Sequence, residues 1–130
     1  MSIRYSVIVE QYAEHHYIKN FKKKYKGAWS ITWNAVYAEF QRFDSLLETS
    51  VAETISEEKN IRIVKTEFRV AGTCESKKTS GNRCIVTVHK DTGVVCVLLV
   101  YNKNDLRHSN ETAQWKSIIR ENYSRYSHLC

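Results

Sequence analysis

An α+β fold in a single domain (residues 1–130) is predicted by three features of the chain. Apolar residues alternate with polar ones in four stretches and recur every three or four residues in three others. The four glycines fall between these periodic segments, and there is neither a proline nor an internal repeat. The length suits one modest core rather than two. The expected order is β-α-α-β-β-β-α, a small, mostly antiparallel sheet with a helical hairpin and the C-terminal helix on one face.

Ile3, Tyr5, Val7 and Val9 alternate with polar residues except for Ile8, which predicts a first strand. Glu14, Ile18, Phe21 and Tyr25 then follow at spacings of four, three and four, one face of a helix for which Gly27 serves as end cap. Trp29, Trp33, Val36, Phe40, Phe43 and Leu47 continue that spacing through a second helix, with the tryptophans as core anchors. Residues 49–60 are polar and acidic, through Glu53, Glu57 and Glu58, and leave a loop or a helix extension open. Residues 61–70 alternate as a strand, and a polar loop covers 71–81. Residues 82–90 and 94–103 flank Asp91-Thr92-Gly93, a hairpin loop with glycine available for the left-handed position. The run 94–100 is apolar on both faces, as a central strand would be. Ser109 or Asn110 caps a last helix carrying Trp115, Ile118, Ile119 and Tyr123.

The net charge is +6. Such an excess on a small domain favours polyanions, chiefly nucleic acid, through steering and counterion release. No apolar run reaches the roughly eighteen residues of a spanning helix, so no membrane partner is expected. The first residues lack the order of a signal peptide, and a cytoplasmic protein is the expectation. The cysteines at 74, 84, 96 and 130 show no metal-ligand spacing. In the predicted hairpin Cys96 falls opposite residue 88, about 13 Å along the strand from Cys84, too far for a disulfide. Neither a metal nor a cofactor is expected.

Residues two apart on a strand share a face. One face of the late sheet then collects Val64, Thr66, Phe68, Cys84 and Val86. The other collects Lys65, Arg69, Arg83 and, through direct pairing of Arg83 with Tyr101, also Tyr101 and Lys103. Clustered cations repel one another unless an anion sits among them. A solvated outer face accounts for the same pattern.

The segments Glu67-Phe68-Arg69-Val70, Gly81-Asn82-Arg83-Cys84-Ile85-Val86 and Val97-Leu98-Leu99-Val100-Tyr101-Asn102-Lys103-Asn104-Asp105 resemble the RelE/ParE toxin superfamily. Its RelE-like and HigB-like branches are nearest. Tyr17-Ile18-Lys19-Asn20-Phe21-Lys22-Lys23 looks like that family's first helix. The resemblance implies the toxin of a type II toxin–antitoxin system, a ribosome-dependent mRNA endonuclease that inhibits translation. Its implied partners are mRNA, the ribosome and a cognate antitoxin. The implied reaction is attack of the 2′-hydroxyl on the adjacent phosphate, with fixed cations stabilising the phosphorane and proton transfer adding a smaller factor. On that model Arg83 and Arg69 hold the scissile phosphate, Lys65 acts as base or electrostatic partner, and Lys103 is general acid or second cation. Tyr101 stacks on a base. Lys22, Lys23 and Lys24 touch ribosomal RNA phosphates or form a solvated face. His15, His16 and His108 read as surface residues, and His89 lies at the wrong end of the sheet. Gyrase inhibition by protein contacts and nucleic-acid or partner binding without cleavage are the competing functions. Arg83→Ala is expected to abolish toxicity and leave the fold intact.

Overall fold

The computed structural model describes residues 3–106 and 110–130. Its elements are β1 (Ser6–Val9), α1 (Gln11–Ala13), a π-helical turn (Glu14–Ile18), α2 (Lys19–Tyr25), α3 (Gly27–Gln41), α4 (Phe43–Leu46), β2 (Ala52–Glu58), β3 (Ile61–Phe68), β4 (Asn82–His89), β5 (Val94–Asn102), a 3-10 turn (Lys103–Asp105), α5 (Glu111–Asn122) and a 3-10 helix (Ser124–Leu129). The strands form one sheet in the order β1-β5-β4-β3-β2. β1 runs parallel to β5, and every other pair is antiparallel. This is the predicted α+β class and element order with one strand added. No helix among the described residues is long and apolar enough to cross a membrane.

The added strand is β2, in the acidic stretch where a loop or helix had been open. It lies at a sheet edge, and its carboxylates Glu53, Glu57 and Glu58 stand exposed. Charge on an edge strand discourages pairing with other chains, and it also hides the alternation that would announce a strand.

The helical hairpin forms, with two adjustments. The π-helical turn inserts an extra residue after Ala13, so that Ala13, Ile18 and Phe21 all reach the core while Glu14 pairs with Lys22 at 2.6 Å. The break after α2 falls on Lys26, which takes φ +47°, whereas Gly27 is the first residue of α3 rather than the cap of the preceding helix. Phe21 then packs on Trp29 with ring centroids 5.0 Å apart.

Arg83 lies directly opposite Tyr101, the expected pair, but not through the loop: the turn takes in Lys90–Gly93 and pairs His89 with Val94, a register that alone would set Arg83 against Val100. The turn therefore sets Cys96 opposite Thr87 rather than 88, and a slip of one between Val86↔Val97 and Ile85↔Leu99 leaves Leu98 as an extra residue and brings Tyr101 opposite Arg83. The bulge lets Val95, Val97 and Val100 face the helical hairpin while Cys96, Leu98, Leu99 and Tyr101 face the other way. Cys84 and Cys96 therefore lie in different cores, both as free thiols.

The C-terminal helix departs from the expected arrangement. It covers the opposite sheet face from the hairpin. Trp115, Ile119, Tyr123, Tyr126 and Leu129 pack there on Ile63, Ile85, Leu98 and Leu99. The physical reason is apolar content: β4 is buried on both sides except at His89, so its second face also needs a cover. Asn110 caps α5 by accepting from the Ala113 amide at 3.0 Å. Ser109 and His108 lie outside the described residues.

Candidate functional site

The two core clusters dictate the surroundings of every predicted site residue. Glu67, Arg83 and Tyr101 lie in register across β3, β4 and β5 on the face that α5 covers. The face expected to be open is thus closed, and the Arg83 side chain is only 7% exposed. Tyr101 is buried as well.

Arg83 is held by four groups. Its Nη1 donates to the Asn82 carbonyl at 3.1 Å and its Nη2 to the Lys78 carbonyl at 3.2 Å. Glu67 Oε2 stands 3.2 Å from Nη2, and Glu111 Oε2 stands 3.9 Å from Nε, which itself makes no hydrogen bond. The Tyr101 hydroxyl donates to that same Glu111 oxygen at 2.6 Å. One carboxylate oxygen thus serves the tyrosine and faces the guanidinium. Glu111 opens α5 immediately after its cap, and no strand alternation pointed to it. The signal available was an acidic residue in the first turn of a capped helix, but the site it reaches depends on which face α5 covers. Glu67 pairs across the strands with Arg83.

Only part of the expected cation cluster assembles. Lys65 shares the Glu67 face, half-buried, with Glu53 and Ile85 as register neighbours. Arg69 lies just beyond β3, exposed, and lines a groove against α3 on the hairpin side. The strand alternation that placed it beside Arg83 no longer operates past Phe68. Lys103 is exposed in the 3-10 turn, with its amide donating to the Gly81 carbonyl at 2.8 Å. Gly81 has φ +78°, and a side chain there would meet Lys103 Cγ and Asn102 Nδ2 at 3.2 Å, so glycine is required at this crossing. Lys22, Lys23 and Lys24 are exposed on α2, over the other sheet face. Lys24 lies 5.3 Å from the Tyr25 ring and lines a small recess with Asn102 and Asp105. His89 bonds Tyr126 at 2.7 Å, away from Arg83. Among the described residues no three His, Cys, Asp or Glu side chains group as a metal site.

Burial also raises the tyrosine phenols. Desolvation, then the Glu111 hydrogen bond, pushes Tyr101 far above its ordinary range. Desolvation, then the bond to Asp44, pushes Tyr5 up from 10.0 to about 12. A phenol whose folded pKa is raised contributes stability that is complete below the unfolded value and declines as pH climbs towards the folded one. Stability is therefore expected to fall between pH 10 and about 12. Ultraviolet titration should show tyrosinate appearing together with loss of circular dichroism in that window. All tyrosines ionising near pH 10 with the fold intact would contradict it.

Comparison with known proteins finds no matching family model, no matching curated protein and no matching solved structure.

Proposed function

We propose that this chain is a cytoplasmic toxin of the RelE/ParE type that cleaves mRNA at the ribosome and is restrained by a cognate antitoxin. The observation that carries the reading is the buried row Glu67–Arg83–Tyr101, with the Glu111 carboxylate facing Arg83 Nε where an anionic oxygen would sit. In this reading Glu111 occupies the phosphate position in the resting protein. The first turn of α5 moves aside when RNA enters, and Arg83 exchanges one oxyanion for another. Glu67, 3.2 Å from the guanidinium, takes the 2′-hydroxyl proton as that oxygen attacks the adjacent phosphorus. Arg83 and Lys65 stabilise the phosphorane charge. The bond to the 5′-oxygen breaks, with Lys103 giving that oxygen its proton, to leave a cyclic phosphate and a free 5′-hydroxyl. Lys22, Lys23 and Lys24 hold the RNA backbone from α2.

A second reading, a relative of the fold that binds nucleic acid without cutting it, draws support from Arg83 being already neutralised by two carboxylates and bonded to two carbonyls. Arg69, which lines the groove beside α3, also favours it.

Inducible expression in bacteria with primer-extension mapping of a reporter mRNA separates the two. Cuts at coding positions that vanish when initiation is blocked are the expected result. Growth arrest without cuts would transfer the proposal to gyrase inhibition, and neither arrest nor cuts would leave the binding reading. The double variant Lys23→Glu/Lys24→Glu is expected to weaken binding to single-stranded RNA. It should also lower the slope of log K against log salt by roughly 0.7 per lost phosphate contact. An unchanged slope would remove these lysines from the RNA path.

A further inference from the structure

α3 has fifteen residues and a single charged one, Glu39, in a chain that is 26% charged. Its inner face is accounted for by Trp29, Val36 and Phe40 in the core. Its outer face carries no charge, and one strip of it is apolar beside the exposed Ser30 and Asn34. Ile31 is 65% exposed, Tyr37 is 37% exposed, and Ala35 and Ala38 are open. An apolar stripe on both sides of a helix is the pattern of one that is covered on both sides.

Beside this strip runs a groove of about 530 Å³, lined by Ile31, Ala35 and Phe68 and in equal part by polar groups that include Glu39, Arg69 and Lys77. Its far wall is tied to α3, because the Ala71 amide donates to Thr32 Oγ1 at 2.8 Å while that hydroxyl donates to the Ala28 carbonyl. Lys77 pairs with Glu39 at 2.5 Å, which cancels the one carboxylate of the helix. Arg69 is exposed and has no ion-pair partner among the described residues; its one hydrogen bond is at 3.5 Å, to the Glu75 carbonyl. Further along α3, a second recess is lined by Arg4 and Arg42 together with Ala38, Gln41 and Glu39, whose carboxylate is held by Lys77. Neither arginine has an ion-pair partner among the described residues.

We propose that this face of α3 is the docking site for an acidic amphipathic helix of a partner protein. Ile31, Ala35 and Ala38 stand at i, i+4 and i+7, the spacing by which one helix seats another, and the two alanines permit close approach. Arg69 at one end and Arg4 with Arg42 at the other select carboxylates flanking the partner's apolar stripe. A second copy of this chain would bring these arginines against each other, and a groove whose Lys77 is already paired with Glu39 offers RNA phosphates less than the lysines of α2 do. The inference is independent of the nuclease reading, since α3 and Arg83 serve opposite faces of the sheet.

The test is amide-resolved NMR of the full chain with three probes. These are a synthetic helix of about five turns (roughly eighteen residues) with leucines at alternating spacings of four and three and glutamates flanking them, its counterpart with lysine for glutamate, and a short single-stranded RNA. The acidic peptide is expected to shift the amides of Ile31, Ala35, Ala38, Arg69 and Gly72, and the lysine peptide is not. Arg42→Glu/Arg69→Glu, and separately Ile31→Asp, should weaken the acidic peptide by roughly tenfold or more. Both sets lie on the surface, and unchanged dispersion of the other amides checks their folding. The proposal is overturned by acidic-peptide shifts confined to Lys19–Lys26, by none at millimolar peptide, by equal binding to the variants, or by RNA occupying the groove. None of these outcomes depends on RNA cleavage.

Discussion

Replacing Arg83 with alanine is expected to lower the stability of this chain by about 3–5 kcal/mol, the range for breaking a buried ion pair from one side. The loss is large because of what remains. Glu67 and Glu111, with side chains 13% and 24% exposed, keep their charge in a low-dielectric setting without the guanidinium that faced them. The Asn82 and Lys78 carbonyls also lose their donor. The combination Arg83→Met, Glu67→Gln and Glu111→Gln should recover most of the loss, since removing every charge together avoids an orphan. Urea unfolding of the parent, Arg83→Ala and the triple variant checks this. A loss below about 1 kcal/mol for Arg83→Ala, the range of exposed pairs, would mean that the cation is as open as strand alternation alone suggests. It follows that an Arg83→Ala protein that no longer arrests growth has not identified a phosphate site, because it is short of folded molecules too. Arg83→Lys is the more informative variant. It keeps the charge and loses the forked geometry.

Trp115→Ala is expected to cost a similar amount, about 3–5 kcal/mol, by opening a cavity under α5. Trp115 is fully buried and anchors the helix to the second sheet face. Its indole nitrogen is buried without a hydrogen-bond partner, so Trp115→Phe loses volume but removes an unsatisfied donor. That variant is expected to stay within about 1.5 kcal/mol of the parent. Denaturation of the pair gives the comparison, and equal losses would show that the indole nitrogen matters more than the volume. Hydrogen exchange adds a local measure: amides of α5 should exchange faster in Trp115→Ala, while those of α3 follow the global change alone. In the nuclease reading such loosening also frees Glu111 from Arg83.

The closed state of the arginine site changes how the charge of the chain is to be understood. Arg83 is neutralised within the fold, and the positive charge available to a polyanion lies elsewhere, on α2, at Lys103 and in the exposed loops. Arg69 belongs to neither group and faces the groove beside α3. One basic protein thus presents two different surfaces, a lysine face suited to phosphates and an arginine-edged apolar strip suited to a helix.

Local signals were legible wherever the physics is local. The spacing of Ile18 and Phe21 and of Trp29 through Phe40 marks helices because side chains three or four apart share a helical face. The Asp91-Thr92-Gly93 run marks the hairpin turn, but the Arg83–Tyr101 pair needs the bulge as well, since the turn pairs His89 with Val94 and only the extra residue Leu98 brings Tyr101 opposite Arg83. Asn110 caps α5 because its carboxamide satisfies an amide that the helix leaves unpaired. What failed was the inference from alternation to exposure. Alternation says which residues share a face, and it is silent on whether that face is covered. Arg83 and Tyr101 were correctly grouped and wrongly held to be open, since the cover is supplied by α5, a helix distant in sequence. Leu98 was hidden for a related reason: a bulge adds one residue without altering composition, and it redirects half of β5. Edge position likewise made β2 polar and concealed it.

The sequence by itself determined the α+β class, the helical hairpin, the central hairpin of the sheet, and the excess of positive charge. Tertiary structure alone decided that α5 lies on the second face, that Glu111 reaches Arg83, and that Arg69 turns towards α3. Periodicity is set by the backbone geometry of a few neighbouring residues. The burial of a charge is set by which distant apolar surfaces find each other.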